Sequence, residues 1–100
     1  MFERQAKRLI KKYGSLKNEL LQLVQVLKEN PEHGVAIGKN CFKVRISIVS
    51  KGKGKSGGAR VITNFVVSDG DVYLLSIYDK SERDNISDNE LNQLLKYIPE

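Results

Sequence analysis

The sequence has 100 residues, of which 40% are hydrophobic and 29% charged, and its formal net charge is +5. This balance is typical of a soluble globular chain and excludes a disordered one, so we predict a single domain over residues 1–100. No apolar run approaches the ~20 residues of a membrane-spanning helix, and the charged N-terminus contains no signal-peptide core. The single cysteine, Cys41, is expected to be a buried thiol in a reducing, cytoplasmic compartment.

Helical periodicity dominates the first thirty residues. One apolar stripe starts at Phe2 and ends at Tyr13, where Gly14 stops the helix. Ser15 is a candidate N-cap for a second helix, which Pro31 ends because proline disfavours a helical conformation in the residue before it. The short connection predicts an antiparallel helical hairpin.

Strand patterns follow a predicted loop through Gly34 and Gly38. The first strand alternates apolar and basic residues over 42–48, the second covers 59–67, and the third covers 72–78. A tight turn at residues 68–71 joins the last two. The third strand is apolar at nearly every position, which indicates a central strand. Ser87 and Glu90 form a capping box for a final helix, so we predict an α+β fold, α-α-β-β-β-α, with the helices on one face of the antiparallel sheet.

Positive charge is concentrated in the middle of the chain. No acidic residue lies between Glu32 and Asp69, whereas this tract contains seven basic residues. Three of these lysines alternate with glycine, at Lys51, Lys53 and Lys55. Such a run forms either a solvated hairpin tip or an electrostatic contact to nucleic acid phosphates, and the charge asymmetry favours a nucleic acid partner.

The residues present and their spacing exclude several common kinds of nucleotide-binding, catalytic and metal-binding site. The tripeptide Gly54-Lys55-Ser56 is not a P-loop, because position 49 is Val where that motif has Gly and because a strand follows it. His33 is the only histidine, so no acid–base histidine pair exists. The acidic residues after position 79 lack metal-loop spacing. We therefore expect no metal ion and no small-molecule cofactor.

Basic side chains on the strands are the remaining candidates. Lys43 and Arg45 share one strand face, and Arg60 opens the next strand after four small residues that leave space for a phosphate. Tyr78 and Lys80 lie at the end of the third strand. The other strand aromatics, Phe42, Phe65 and Tyr73, fit a core better than a platform on which bases stack.

The order and spacing of several segments resemble the RelE/ParE superfamily of toxin-antitoxin toxins. These segments are CFKVRI at 41–46, GGARVI at 57–62 and VYLLSIYDKSE at 72–82, and the stretch 50–62 is most similar to the HigB-type branch. The resemblance covers nearly the whole chain. It implies a ribosome-dependent, metal-independent endoribonuclease that cleaves mRNA and inhibits translation, with a cognate antitoxin, the ribosomal RNA and mRNA as partners.

The resemblance also implies roles for individual residues. The family's catalytic basic set falls on Lys43, Arg45, Arg60 and Lys80, with Arg83 a close second to Lys80 for the last position. A tyrosine found beyond the last strand in well-known members falls on Ile86 here, so Tyr78, or Tyr97 in the final helix, is the candidate to replace it. The residues expected to contact ribosomal RNA are Lys51, Lys53, Lys55, Arg83, Lys7, Lys11 and Lys12.

Two alternatives belong to other functional classes. A ParE-like member would poison DNA gyrase without chemistry of its own, although such members usually lack the basic set that is present here. A catalytically inert nucleic-acid-binding module would follow if the missing tyrosine abolishes activity. The effect of replacing Arg60 by alanine distinguishes these alternatives from the nuclease.

Overall fold

The computed structural model describes residues 1–51 and 57–98. Two helices come first, α1 (Phe2–Lys12) and α2 (Leu16–Glu29), and the chain ends with α3 (Asp88–Leu95). Between them lie the strands β1 (Val35–Gly38), β2 (Cys41–Ile46), β3 (Ala59–Val66) and β4 (Asp71–Asp79). The sheet is antiparallel in the order β1-β2-β3-β4. The predicted α+β class and helix–sheet–helix order are confirmed, but the sheet has four strands instead of three.

The additional strand is β1, which lies where we predicted a loop. It pairs with β2 through a hairpin whose connecting residues, Lys39 and Asn40, have φ angles of 56° and 58°. Asparagine tolerates this left-handed conformation well, but lysine adopts it less readily. Val35 and most of the strand are exposed, so the sequence has no alternation of apolar and polar residues there that would predict a strand.

The position of β4 was also predicted wrongly, since it is an edge strand and not a central one. Its apolar character arises because both of its faces are covered. Ile77 packs in the cluster formed with α1 and α2, whereas Leu75 and Tyr78 pack in the cluster formed with α3. The free edge is partly closed by Gln5 of α1, whose side-chain oxygen accepts hydrogen bonds from the Ile77 amide (3.1 Å) and the Ser76 hydroxyl (3.0 Å).

Helices therefore lie on both faces of the sheet, which corrects the prediction of one covered face. Leu9 of α1 and Leu23 of α2 belong to the larger core cluster, which includes Val44 and Val61 of the sheet. Leu91 and Leu94 of α3 belong to the cluster on the opposite face. Since α3 covers only part of that second face, it leaves Arg45 exposed.

Local signals were partly confirmed. Ser87 and Glu90 form the predicted capping box at the start of α3. Ser15 occupies the N-cap position of α2 but makes no capping hydrogen bond, because its hydroxyl instead bonds Glu19 and Ser50.

Cys41 is buried as expected, and burial raises the pKa of its thiol. No helix in the described parts of the chain is long and apolar enough to cross a membrane.

Candidate active site

Strand register places three of the predicted site residues in one row. Arg45 of β2 pairs with Arg60 of β3, and Arg60 pairs with Tyr78 of β4. Their neighbours Val44 and Val61 point into the core cluster beneath α1 and α2. Because side chains alternate along a strand, the row lies on the other face, where Arg45 is exposed. Antiparallel pairing therefore brings together residues that are 33 positions apart in sequence, from Arg45 to Tyr78.

A cavity of about 460 Å³ opens beside this row. Its described lining residues are Arg45, Ser47, Ile48, Gly57, Gly58, Arg60 and Lys80. Three of these seven are cationic and none of the seven is acidic. Cationic side chains that converge on a recess with little competing negative charge form a binding site for phosphate oxygens. The prediction that Arg60 has space for a phosphate beside it agrees with this geometry.

Arg60 is held in place by the turn that precedes it. Its guanidinium donates hydrogen bonds to the carbonyl oxygens of Gly57 and Ala59, the latter at 3.1 Å, and the residue is only 7% exposed. Gly57 and Gly58 have φ angles of 91° and 50°. A Cβ on Gly57 would lie 2.4 Å from Cγ of Lys80, and one on Gly58 would lie 2.0 Å from the backbone oxygen of Ile46. The turn can approach its neighbours this closely only because both residues lack a side chain.

Lys80 enters the cavity from the end of β4. Its backbone amide donates to the Gly58 carbonyl at 3.0 Å, while its ammonium bonds the carbonyl (2.9 Å) and the carboxylate of Asp84. The side chain of Asp84 is 93% exposed. Solvent weakens such a pair, so a phosphate can displace Asp84 from the lysine at little cost.

Lys43 shares the strand face of Arg45 but does not line the same cavity. Its ammonium lies 3.5 Å from the side-chain oxygen of Asn85, beside a second recess that also involves Ile86. Ile86, the residue at the expected tyrosine position, packs against the α3 cluster. Tyr97, the other candidate to replace that tyrosine, is exposed on a separate cleft.

Tyr78 stands out because its hydroxyl is buried and has no hydrogen-bond partner among the described residues. The side chain is 5% exposed, and the guanidinium of Arg83 lies 5.2 Å from the centre of its ring. Burial raises the pKa of Tyr78, although the positive charges of Arg60 and Arg83 oppose this effect. The phenol is therefore protonated at neutral pH and is available as a donor.

Lys51 occupies an unexpected position. Its ammonium lies 2.7 Å from a carboxylate oxygen of Asp79, and the side chains of the two residues are 3% and 0% exposed. Asp79 also accepts hydrogen bonds from the hydroxyls of Tyr13 (2.6 Å) and Ser81 (2.6 Å). Burial alone would raise the pKa of Asp79, but these hydrogen bonds outweigh it and hold the pKa well below the ordinary value of 3.8.

The roles of Asp79 and Tyr13 were not predicted from the sequence. The one available signal was an acidic residue at the end of an apolar strand, next to a predicted catalytic lysine. A buried carboxylate needs a cationic partner, and the lysine-rich run supplies one through Lys51.

The other predicted RNA-contacting residues are dispersed. Lys7 and Lys11 are exposed on α1, and Lys12 lies 3.7 Å from Glu82 and 3.9 Å from Asp79. Arg83 pairs with Glu90 and with the carbonyl of Asn85. Lys53 and Lys55 lie outside the described residues. Within residues 1–51 and 57–98, no three histidine, cysteine or acidic side chains are grouped so as to hold a metal ion.

Comparison with known families agrees with this architecture. Two N-terminal helices, an antiparallel sheet and a C-terminal helix constitute the RelE-like fold. The family model for the RelE toxin of the RelE/RelB toxin-antitoxin system matches residues 1–98, so the chain belongs to the RelE toxin family. It is a toxin of a toxin-antitoxin system, and its partner is a cognate antitoxin. Toxins of this family are generally endoribonucleases.

Proposed function

We propose that this toxin, a HigB-like member of the family, is a metal-independent endoribonuclease that cleaves mRNA on the ribosome and thereby inhibits translation. The observation that supports this most strongly is the row of Arg45, Arg60 and Tyr78 beside a cavity that also receives Lys80. A toxin that acts only by binding another protein has no need for two arginines and a lysine that converge on one recess. Because its target is the translating ribosome, the protein would act in the cytoplasm.

The proposed reaction is attack by an RNA 2′-hydroxyl on the adjacent phosphorus. The new bond joins the 2′-oxygen to phosphorus and the bond to the 5′-oxygen breaks, which leaves a 2′,3′-cyclic phosphate and a 5′-hydroxyl. Negative charge grows on the phosphoryl oxygens in the transition state, and Arg45 and Arg60 stabilise it from the row. Lys43, as the neutral amine, takes the 2′-hydroxyl proton, and Lys80, as the ammonium, donates a proton to the departing 5′-oxygen.

Tyr78 has a donor role in this scheme. The raised pKa of its phenol keeps the proton on the hydroxyl, so it can donate a hydrogen bond to the reacting phosphate but is a poor general base. Because the hydroxyl is buried, it reaches the substrate only if side chains around it move when RNA enters, and Arg83 lies against its ring. An unsatisfied buried hydroxyl is costly, and a catalytic role explains why it is retained.

Contacts to ribosomal RNA orient the substrate. The exposed lysines of α1, Lys7 and Lys11, provide positive charge outside the cavity, and the exposed Lys12 adds a further charge in the last turn of the helix. Lys53, Lys55 and Arg83 belong to the proposed contact set on the grounds of charge. Lys51 is omitted, because its ammonium is buried against Asp79.

Primer extension on a translated message tests the proposal. Wild-type protein should produce cuts only when ribosomes are present, and Arg45→Ala should reduce cutting by about 10²-fold, since it removes one preorganised charge from the transition state. Arg45 is exposed, so its replacement should leave the fold intact. Lys28→Ala, an exposed change in the last turn of α2, is the matched control and should cut like the wild type. Growth arrest without any cuts would contradict the proposal and favour a gyrase poison, which a supercoiling assay would detect.

Tyr78→Phe should separate activity from stability. Removing a buried hydroxyl that has no partner within residues 1–51 and 57–98 should leave the free energy of unfolding unchanged or raise it slightly. The cleavage rate on ribosome-bound mRNA should nevertheless fall by about 10–10²-fold, because the reacting phosphate loses a donor. Urea unfolding and single-turnover cleavage measure the two quantities. A variant that cleaves at the wild-type rate would show that Tyr78 has no catalytic part.

A further inference from the structure

The buried cluster around Lys51 lies directly behind the proposed active site. Its carboxylate, Asp79, is the residue between Tyr78 and Lys80 in sequence. Besides Lys51 and Tyr13, the carboxylate accepts the backbone amide of Ser81 at 2.9 Å. The cluster therefore joins the end of α1, the end of β4 and the residue that precedes the segment 52–56.

Gly58 connects this cluster to the catalytic side chains. Its carbonyl oxygen accepts the Lys51 ammonium at 3.3 Å and the backbone amide of Lys80 at 3.0 Å. The preceding residue, Gly57, accepts a hydrogen bond from Arg60 and packs against the methylenes of Lys80. Consequently, a movement of Lys51 changes the surroundings of Gly58, and with it the positions of both Lys80 and Arg60.

The exposure of Lys51 argues against a direct contact with RNA. Its side chain is 3% exposed and the carboxylate it contacts is completely buried. To reach a phosphate, the ammonium would have to leave Asp79, whose other cationic neighbour, Lys12, is exposed to solvent and lies 3.9 Å away. A buried carboxylate that loses its hydrogen-bonded cation is strongly unfavourable, so the pair stays closed when RNA binds.

We propose that Lys51, Asp79 and Tyr13 form a positioning cluster, which holds the Gly57–Gly58 turn and Lys80 in the geometry required for cleavage and makes no contact with RNA. This role rests on the proposed nuclease function. A displacement of about 1 Å in a catalytic group can cost about 10²-fold in rate, so the cluster affects the reaction without touching the substrate. Tyr13 is the most informative member, because its hydroxyl can be removed without changing any charge.

Single-turnover cleavage and ribosome affinity, measured on Lys51→Met and Tyr13→Phe, test the proposal. We expect the rate of the cleavage step to fall by about 10²-fold in Lys51→Met and by about tenfold in Tyr13→Phe. Ribosome affinity should remain within about twofold of the wild type at every salt concentration. Lys11→Met is the comparison variant: it removes an exposed lysine, and it should weaken ribosome binding and reduce the dependence of affinity on salt.

Two results would overturn the positioning role. If Lys51→Met weakened ribosome binding and flattened its salt dependence as Lys11→Met does, Lys51 would be an RNA contact. If Lys51→Met and Tyr13→Phe both cleaved at the wild-type rate, the cluster would have no influence on the site. Circular dichroism at the assay temperature establishes that each variant is folded.

Amide exchange followed by NMR gives an answer that does not require ribosomes. In both variants the amides of Lys80 and Ser81 should exchange about tenfold faster, because their acceptors lie in or beside the cluster. The amide of Phe65, which donates to the Asn40 carbonyl far from the cluster, should be affected less. Equal acceleration of all three amides would mean that the cluster contributes only to global stability. If wild-type protein cleaved no mRNA, the nuclease proposal would fail, while this measurement would still decide whether the cluster fixes Lys80.

Discussion

Replacing Arg60 with alanine should lower the rate of mRNA cleavage on the ribosome by about 10²–10³-fold, the largest effect on activity that we expect from any single change. Arg60 occupies the middle of the row, between Arg45 and Tyr78, and its guanidinium is fixed by two backbone carbonyls. A preorganised charge of this kind stabilises the transition state without having to reorganise during the reaction. Single-turnover cleavage of a ribosome-bound message measures the loss.

Arg60→Lys is the matched variant, because it keeps the charge and removes the planar fork of donors. Lysine cannot bond two acceptors and a phosphate with the same geometry, so most of the activity should still be lost. Urea unfolding must accompany both variants, since Arg60 also braces the turn at Gly57. Unchanged growth arrest by Arg60→Ala, with normal antitoxin binding, would contradict the nuclease and support a gyrase poison.

Replacing Asp79 with asparagine should lower the free energy of unfolding by about 3–5 kcal/mol at neutral pH, the largest effect on stability that we expect. The asparagine retains the shape of the side chain but leaves the ammonium of Lys51 buried without a counter-charge. Asp79 accepts hydrogen bonds from several elements, so its loss loosens α1 and the end of β4 together. Urea unfolding monitored by circular dichroism measures the change.

The pH dependence of the stability difference between the wild type and Asp79→Asn shows whether the charge of Asp79 causes it. The pKa of Asp79 is lower in the folded protein than its usual 3.8, so the ionised carboxylate stabilises the fold fully above that value. As the pH falls further, the wild-type carboxyl becomes protonated and the difference between wild type and Asp79→Asn should narrow. Asp84→Asn is the control, because among the described residues the exposed Asp84 forms an ion pair with Lys80 alone, and its replacement should scarcely change stability. A difference that stayed constant from pH 7 to about pH 2 would contradict this account, since below pH 3.8 the carboxyl of the unfolded chain takes up a proton while that of the folded protein still resists it.

The fold could be predicted where local signals were strong. The helical hairpin, the turn before β4 and the capping box at Ser87 followed from periodicity and turn chemistry. The strand β1 could not be predicted, because its residues are mostly exposed and Lys39 has an uncommon backbone conformation for its type. The apolar character of β4 was noticed but misinterpreted: it reflects the helices that cover both faces of the strand, and it does not reveal whether strands pair at both of its edges.

The candidate site was predictable in composition but not in geometry. Positive charge and small residues pointed to Arg45 and Arg60, yet only the strand register shows that they lie side by side with Tyr78. Lys51 illustrates the limit most clearly. It belongs to a run of similar lysines, and nothing in that run distinguishes one that is buried against Asp79 from one that faces solvent.

Gly57 and Gly58, the two glycines shortly before Arg60, lie in close contact with their neighbours. The space that a methyl group would occupy on Gly57 is filled by the methylenes of Lys80, and the corresponding space on Gly58 is filled by the backbone of Ile46. These glycines therefore allow the turn to pack closely against Lys80 and Ile46, although a glycine-rich composition usually indicates a flexible segment. The position of Lys80 therefore depends partly on the absence of a side chain at Gly57. Alanine, the most conservative substitution at these two positions, is for that reason among the most disruptive changes that this surface can undergo.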